Sequence, residues 1–169
     1  MSVIVNTTIL SNFATVGQLG LLHALWSIVY IPGQVYDEIQ NGLLQGYSFY
    51  ADIDQLVYPF SETGWLHLTA LQSPDEFRLF GELLSVLHSG EAACLSIAAH
   101  RGWTLFSDDK AARKASESLK VSVSGTLGVL LALVKQSQLA LTEADEILAR
   151  MIQIGYYSPC ASLNEILRS

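Results

Sequence analysis

The chain has 169 residues, 50% of them hydrophobic and 15% charged, which supplies one compact core within the usual single-domain size range; a single domain over 1–169 is expected. Its net charge of −7 counts against nucleic-acid binding through a broad basic surface, because Lys and Arg neutralising phosphate dominate such binding. No apolar run approaches the roughly 20 residues of a membrane span, and Cys94 and Cys160 alone make neither a disulfide framework nor a zinc cluster. The first residues lack the basic flank and small-residue cleavage site of a secretory signal, so a cytoplasmic setting with no membrane contact is expected.

In chain order, Val3, Ile4 and Val5 form a short apolar run that stops at Asn6, Thr7 and Thr8, as a buried strand ending in a loop would. A helix is expected next. Ile28 to Ile31 repeats the pattern, and Pro32 then opens a helix to about residue 45, since a missing N–H costs nothing in a first turn. The stretch from Gly46 to Gly64 has weak periodicity and reads as a surface excursion. Trp65 to Leu68 suits a strand, Pro74 to about Leu84 a helix, and Ser89 an N-cap for a helix from Gly90 to about His100, closed by Gly102. Thr104 to Phe106 predicts a strand ending in Ser107, Asp108 and Asp109. A helix from Lys110 to Leu119, a strand at Val121 to Val123, a helix after Gly125, another from Thr142 to about Ile154 and a short last one after Pro159 complete the pattern. Apolar strands alternating with helices define an α/β fold: a three-layer α/β/α arrangement around a mostly parallel sheet, with ligands bound beyond the carboxyl ends of the strands.

Two of those ends carry polar groups suited to metal binding, Asn6 on one and Asp108 with Asp109 on the other. Helical spacing adds two more. Glu38 shares a face with Val35 and Ile39, and Glu91 shares one with Cys94, Leu95 and Ala98, so both carboxylates lie on apolar stripes where an unpaired charge is costly. A bound Mg²⁺ or Mn²⁺ would compensate them. Each residue also has an ordinary explanation: Glu91 complements a helix dipole, Glu38 pairs with a basic neighbour, and Asn6 and the Asp pair are turn residues. Lys110, Arg113, Lys114 and Lys120 concentrate positive charge after the Asp pair, either as a local patch or as a solvated helix face. His23, His67, His88 and His100 have no spacing that makes a ligand set. A phosphoacceptor receiver-like domain would use the Asp pair but needs acids at the end of the first strand, where Asn6 and Thr7 stand.

In order and spacing these segments resemble PIN-domain nucleases, including the ribonuclease toxins of VapBC-type toxin-antitoxin pairs. VIVNTTILSNFATVGQLGLL is similar to the family's first strand and acid, with Asn6 in the acid's place; IPGQVYDEI is similar to the segment of the second acid, at Glu38. LHSGEAACLSIAAHRGWTLFSDDKAAR resembles the helix of the third, Glu91, and the strand end of the last, Asp109 beside Asp108. VSGTLGVLLALVKQSQL and GYYSPCASLNEIL resemble the closing part of a bacterial and archaeal branch, while 46–73 carries little of the likeness. The resemblance implies cleavage of RNA phosphodiesters with Mg²⁺ or Mn²⁺ held at Asn6, Glu38, Glu91, Asp108 and Asp109. It further implies ligands or water oriented by Thr7 and Ser107, RNA backbone held by Lys110 and Arg113, a small antitoxin partner and a homodimer. Asn6 brings an amide oxygen without negative charge, so weakened cation binding is expected, and the alternative is a catalytically weak or inactive module that binds RNA or an antitoxin-like protein.

Overall fold

A computed structural model describes residues 1–168; residue 169 of the expected domain lies outside the described residues. The apolar opening forms strand β1 (Val3–Val5), followed by helices α1 (Thr7–Ala14) and α2 (Gly20–Leu25). Strand β2 (Val29–Pro32) leads to α3 (Gly33–Leu44), with Pro32 capping the helix from the strand end instead of sitting in its first turn. The 46–64 segment is more than a surface excursion. It makes two 3₁₀ turns, Ser48–Tyr50 and Ile53–Leu56, buries Tyr50, Ile53 and Val57, and adds a short strand β3 (Val57–Tyr58). Strand β4 (Leu66–Thr69) precedes α4 (Pro74–Leu83) and α5 (Ser89–Arg101), which Gly102 ends in the left-handed conformation at φ 67°. Strand β5 (Thr104–Phe106), α6 (Lys110–Leu119), β6 (Val123–Ser124), α7 (Thr126–Lys135), α8 (Leu141–Ile154) and α9 (Leu163–Leu167) follow.

All six strands pair in parallel, in the order β3-β4-β2-β1-β5-β6. The first strand in sequence is therefore central, with Val3, Ile4 and Val5 opposite Thr104, Leu105 and Phe106 on one side and Ile4 opposite Tyr30 on the other. A parallel strand needs cover on both faces, which explains its unbroken apolar run. One helical layer is organised around α5, which packs on β1, β2 and β5 and on α3, α4 and α6; the other joins α2, α7, α8 and α9. The core includes Ile4, Phe13, Leu22, Ile31, Leu95, Ile97 and Leu130, all fully buried. No helix among the described residues is long and apolar enough to cross a membrane.

Candidate active site

Asn6 leaves β1 in an extended conformation and becomes the N-cap of α1, its side-chain oxygen accepting the Ile9 N–H at 3.1 Å. Its amide nitrogen donates to Ser107 Oγ at 2.9 Å and to Glu91 Oε1 at 3.4 Å, and the residue is 1% exposed. Ser107, buried just past β5, also accepts the Asp109 N–H at 3.1 Å. One amide thus ties the ends of two neighbouring strands to the first turn of α5. Asp109 in turn caps α6, its Oδ2 accepting the Ala112 N–H at 2.7 Å.

Glu38 sits where its helical face predicts, between buried Val35 and Ile39 and opposite the exposed Asp37. It accepts the Thr7 hydroxyl and, at 3.1 Å, the Gly90 N–H. That second bond corrects the expectation that Ser89 caps α5: the cap residue is His88, without a side-chain bond, and the N–H at Gly90 is satisfied from a distant helix. Only glycine permits this approach, since a Cβ at residue 90 would stand 2.5 Å from Glu38 Oε1.

Glu91 is half-buried, and its carboxyl is pushed up to about 7, first by burial and then by the negative charges of Asp109 and Glu38, with His88 and the Asn6 amide opposing the rise. Asn6, Thr7, Glu38 and Glu91 line one cavity of ≈ 470 Å³ together with Thr8, His88 and Ser89. Asp109 couples to it electrostatically through Glu91 and faces a neighbouring cavity of ≈ 660 Å³, where Lys110 and Arg113 also lie.

Asp108 turns away from Asn6. Its carboxylate accepts the Thr126 N–H at 2.9 Å, the Thr126 hydroxyl at 2.5 Å, the Asn12 amide at 3.3 Å and the Tyr156 hydroxyl at 3.4 Å, joining α1, α7 and the segment after α8. Burial and this carboxylate push the Tyr156 hydroxyl well above its ordinary range. Sequence reasoning missed Asn12, Thr126, Tyr156 and Gly90. Their only signal was small: a Thr directly after the helix-opening Gly125, and a Gly next to the acid Glu91.

Among the described residues, no three His, Cys, Asp or Glu side chains are gathered as a ready-made ligand set. The chemistry of the donors nevertheless fits a hard divalent cation. They are oxygen groups, two of them carboxylates facing one cavity that no Lys or Arg lines, and burial first, then the charges of Asp109 and Glu38, raise the carboxyl of Glu91.

An all-parallel sheet with a carboxylate cleft beyond its central strands defines the class, and the comparisons agree. A family model described as a PIN domain matches residues 2–169, so the chain belongs to the PIN-domain family. No curated protein matches it in sequence. Its fold is similar to that in the crystal structure of VapBC2 from Rickettsia felis bound to a DNA fragment from their promoter, at a TM-score of 0.54 and 13% identity, covering 74% of this chain and 98% of that one.

Proposed function

We propose that the chain is a metal-dependent endoribonuclease acting as a single domain over 1–169, and the toxin of a toxin-antitoxin pair in the cytoplasm. The observation that carries this reading is the meeting of Glu38 and Glu91 in one cavity at the carboxyl edge of the sheet, with Asp109 close enough to raise the Glu91 carboxyl. Membership of the PIN-domain family supports the nuclease class, and likeness to a VapBC2 fold supports an antitoxin partner; a homodimer rests on the family resemblance alone.

Glu38, Glu91 and Asp109 would hold Mg²⁺ or Mn²⁺, with Asn6 contributing at most an amide oxygen, while Asp108, expected as a further ligand, is engaged by Thr126, Asn12 and Tyr156. Such an ion supplies charge stabilisation on the phosphate and lowers the pKa of an attacking water. The chain's own groups do the positioning: Thr7 and the Gly90 N–H fix Glu38, Ser107 fixes Asn6 and the backbone of Asp109, and Lys110 and Arg113 hold the RNA backbone. Asn6 favours a second reading, a PIN fold that binds RNA or an antitoxin-like protein without cutting. Its amide donates to Glu91 and adds no negative charge where the fold would accept an acid.

The test is Mn²⁺-dependent cleavage of an RNA panel by this chain and by Asn6→Asp. The aspartate variant is expected to cleave faster and bind Mn²⁺ more tightly, and Asp109→Ala in that background to abolish cleavage. Equal inactivity of both well-folded proteins would sink the nuclease reading and leave the binding module.

A further inference from the structure

Beside the carboxylate cavity runs a second groove of ≈ 530 Å³, and the two share Thr7 and Glu38 as a common wall. Its composition differs sharply from that of the cleft. The far wall comes from α3, where Asn41 and Gln45, one helical turn apart, present side-chain amides that make no hydrogen bond to any described residue. Tyr47 stands at the mouth, 50% exposed, its ring stacked on Phe49 with centroids 5.6 Å apart and planes 13° apart. Tyr47 and the buried Tyr50 can sit this close to α3 because residue 42 is glycine: a Cβ there would meet Tyr47 at 3.1 Å and Tyr50 at 3.2 Å. Tyr156 closes the groove at the end of α8 and also lines the neighbouring cavity with Lys110 and Arg113.

We propose that this groove is a nucleobase subsite, in which an unpaired base next to the phosphate at the carboxylates stacks on Tyr47 and is read by the amides of Asn41 and Gln45. This rests on the nuclease reading and deepens it by assigning base recognition to Tyr47, Asn41 and Gln45. A base offers an aromatic face and an edge of mixed donors and acceptors without net charge. The groove offers the complement: an exposed ring for stacking, and two amides that each donate and accept. Phosphate does not suit it, since no Lys or Arg lines it and Glu38 is negative. The backbone belongs in the neighbouring cavity, with Lys110 and Arg113. A base still paired within a helix has its edge occupied and its faces stacked, so the subsite selects against duplex.

Binding tests this without requiring turnover. Fluorescence anisotropy with a labelled mixed-sequence single-stranded RNA, in Mn²⁺ buffer, is expected to show binding by the unaltered chain and at least tenfold weaker binding of the matching duplex. Tyr47→Ala should weaken single-strand binding about tenfold, as loss of one stacked base does, and Tyr47→Phe should retain it. The double substitution Asn41→Ala with Gln45→Ala, confined to exposed positions, should reduce discrimination among base sequences. Phe77→Ala, an exposed aromatic elsewhere on the surface, should leave binding unchanged. Equal affinity in Tyr47→Ala, with Lys110→Ala and Arg113→Ala still weakening binding, would overturn the subsite while the nuclease reading stands. Absence of RNA binding in every form, together with an inert Asn6→Asp, would overturn both. Intact RNA binding in Tyr47→Ala beside lost binding of a co-expressed small protein would assign the groove to a protein segment instead and overturn the proposal.

Discussion

Asn and Asp cap helices equally well, so Asn6→Asp keeps the start of α1 while replacing an N–H donor 3.4 Å from Glu91 with a second anionic oxygen. Stripped of divalent ions, the variant should melt below the parent by an amount equivalent to about 1–2 kcal/mol, as expected for two partly buried like charges. Mn²⁺ should then raise its Tm more than that of the parent, and an identical response in both, followed by differential scanning fluorimetry with and without chelator, would refute the assignment of residue 6 to a cation site. Gly90→Ala probes the other wall. The helix would gain up to about 1 kcal/mol of propensity from alanine, yet the new Cβ displaces Glu38, so in the Asn6→Asp background Mn²⁺ affinity should fall while the melting point moves little. At this scale much of the site was legible, because helical spacing alone placed Glu38 and Glu91 on inward faces. The turning of Asp108 toward Thr126 was not, since adjacent residues after a strand point in different directions and sequence does not say which one faces Thr126.

Between elements, the strongest electrostatic tie lies away from the cleft. Ser73 and Glu76 form a capping box at the start of α4, and Glu76, 3% exposed, also receives Arg101 from the end of α5 at 2.8 Å. Arg101 reaches on to Thr69 Oγ1 at 2.9 Å and the Ala70 carbonyl at 2.6 Å, so one guanidinium joins two helices to the end of β4. The Arg101 hydrogen bonds, reinforced by the Gln72 and Ser73 N–H groups against the opposing cost of burial, hold the Glu76 carboxyl down at about 2 from its ordinary 4.5. A carboxyl with a lowered folded pKa stabilises the fold above its unfolded value and loses that contribution as pH falls through the folded one. About 3 kcal/mol should therefore disappear between pH 4.5 and about 2. Glu76→Gln is expected to lower stability at pH 7 by a similar order and to flatten that part of the acid limb in urea titrations; an unchanged acid limb would contradict the pairing. The Pro74 start of α4 was readable from sequence. The pairing was not, because no local spacing links Glu76 to Arg101. For the same reason the 46–64 segment read as surface: its buried Tyr50, Ile53 and Val57 follow no helical or strand period.

For the whole molecule, the charge of −7 sets the terms on which the proposed RNA substrate would bind. With Lys110 and Arg113 as the two cations beside the site, log affinity against log salt for single-stranded RNA should fall with a slope of about −1.4. Substituting both by Ala should flatten it toward zero; a slope several times steeper would reveal a basic surface elsewhere. The parallel architecture was legible because five short apolar runs alternate with helices; the sixth strand, β3, was not, and strand order is set by contacts between distant segments. That order has a consequence for synthesis. The central strand β1 is made first, but its neighbour β5 and the acid that follows come about a hundred residues later. At roughly 5–20 residues per second, the ribosome needs about 5–20 seconds to travel from Asn6 to Asp109. Throughout that interval the nascent chain holds only part of its acidic cleft, so on the proposed nuclease reading a prematurely released fragment would leave the message that encodes it uncut.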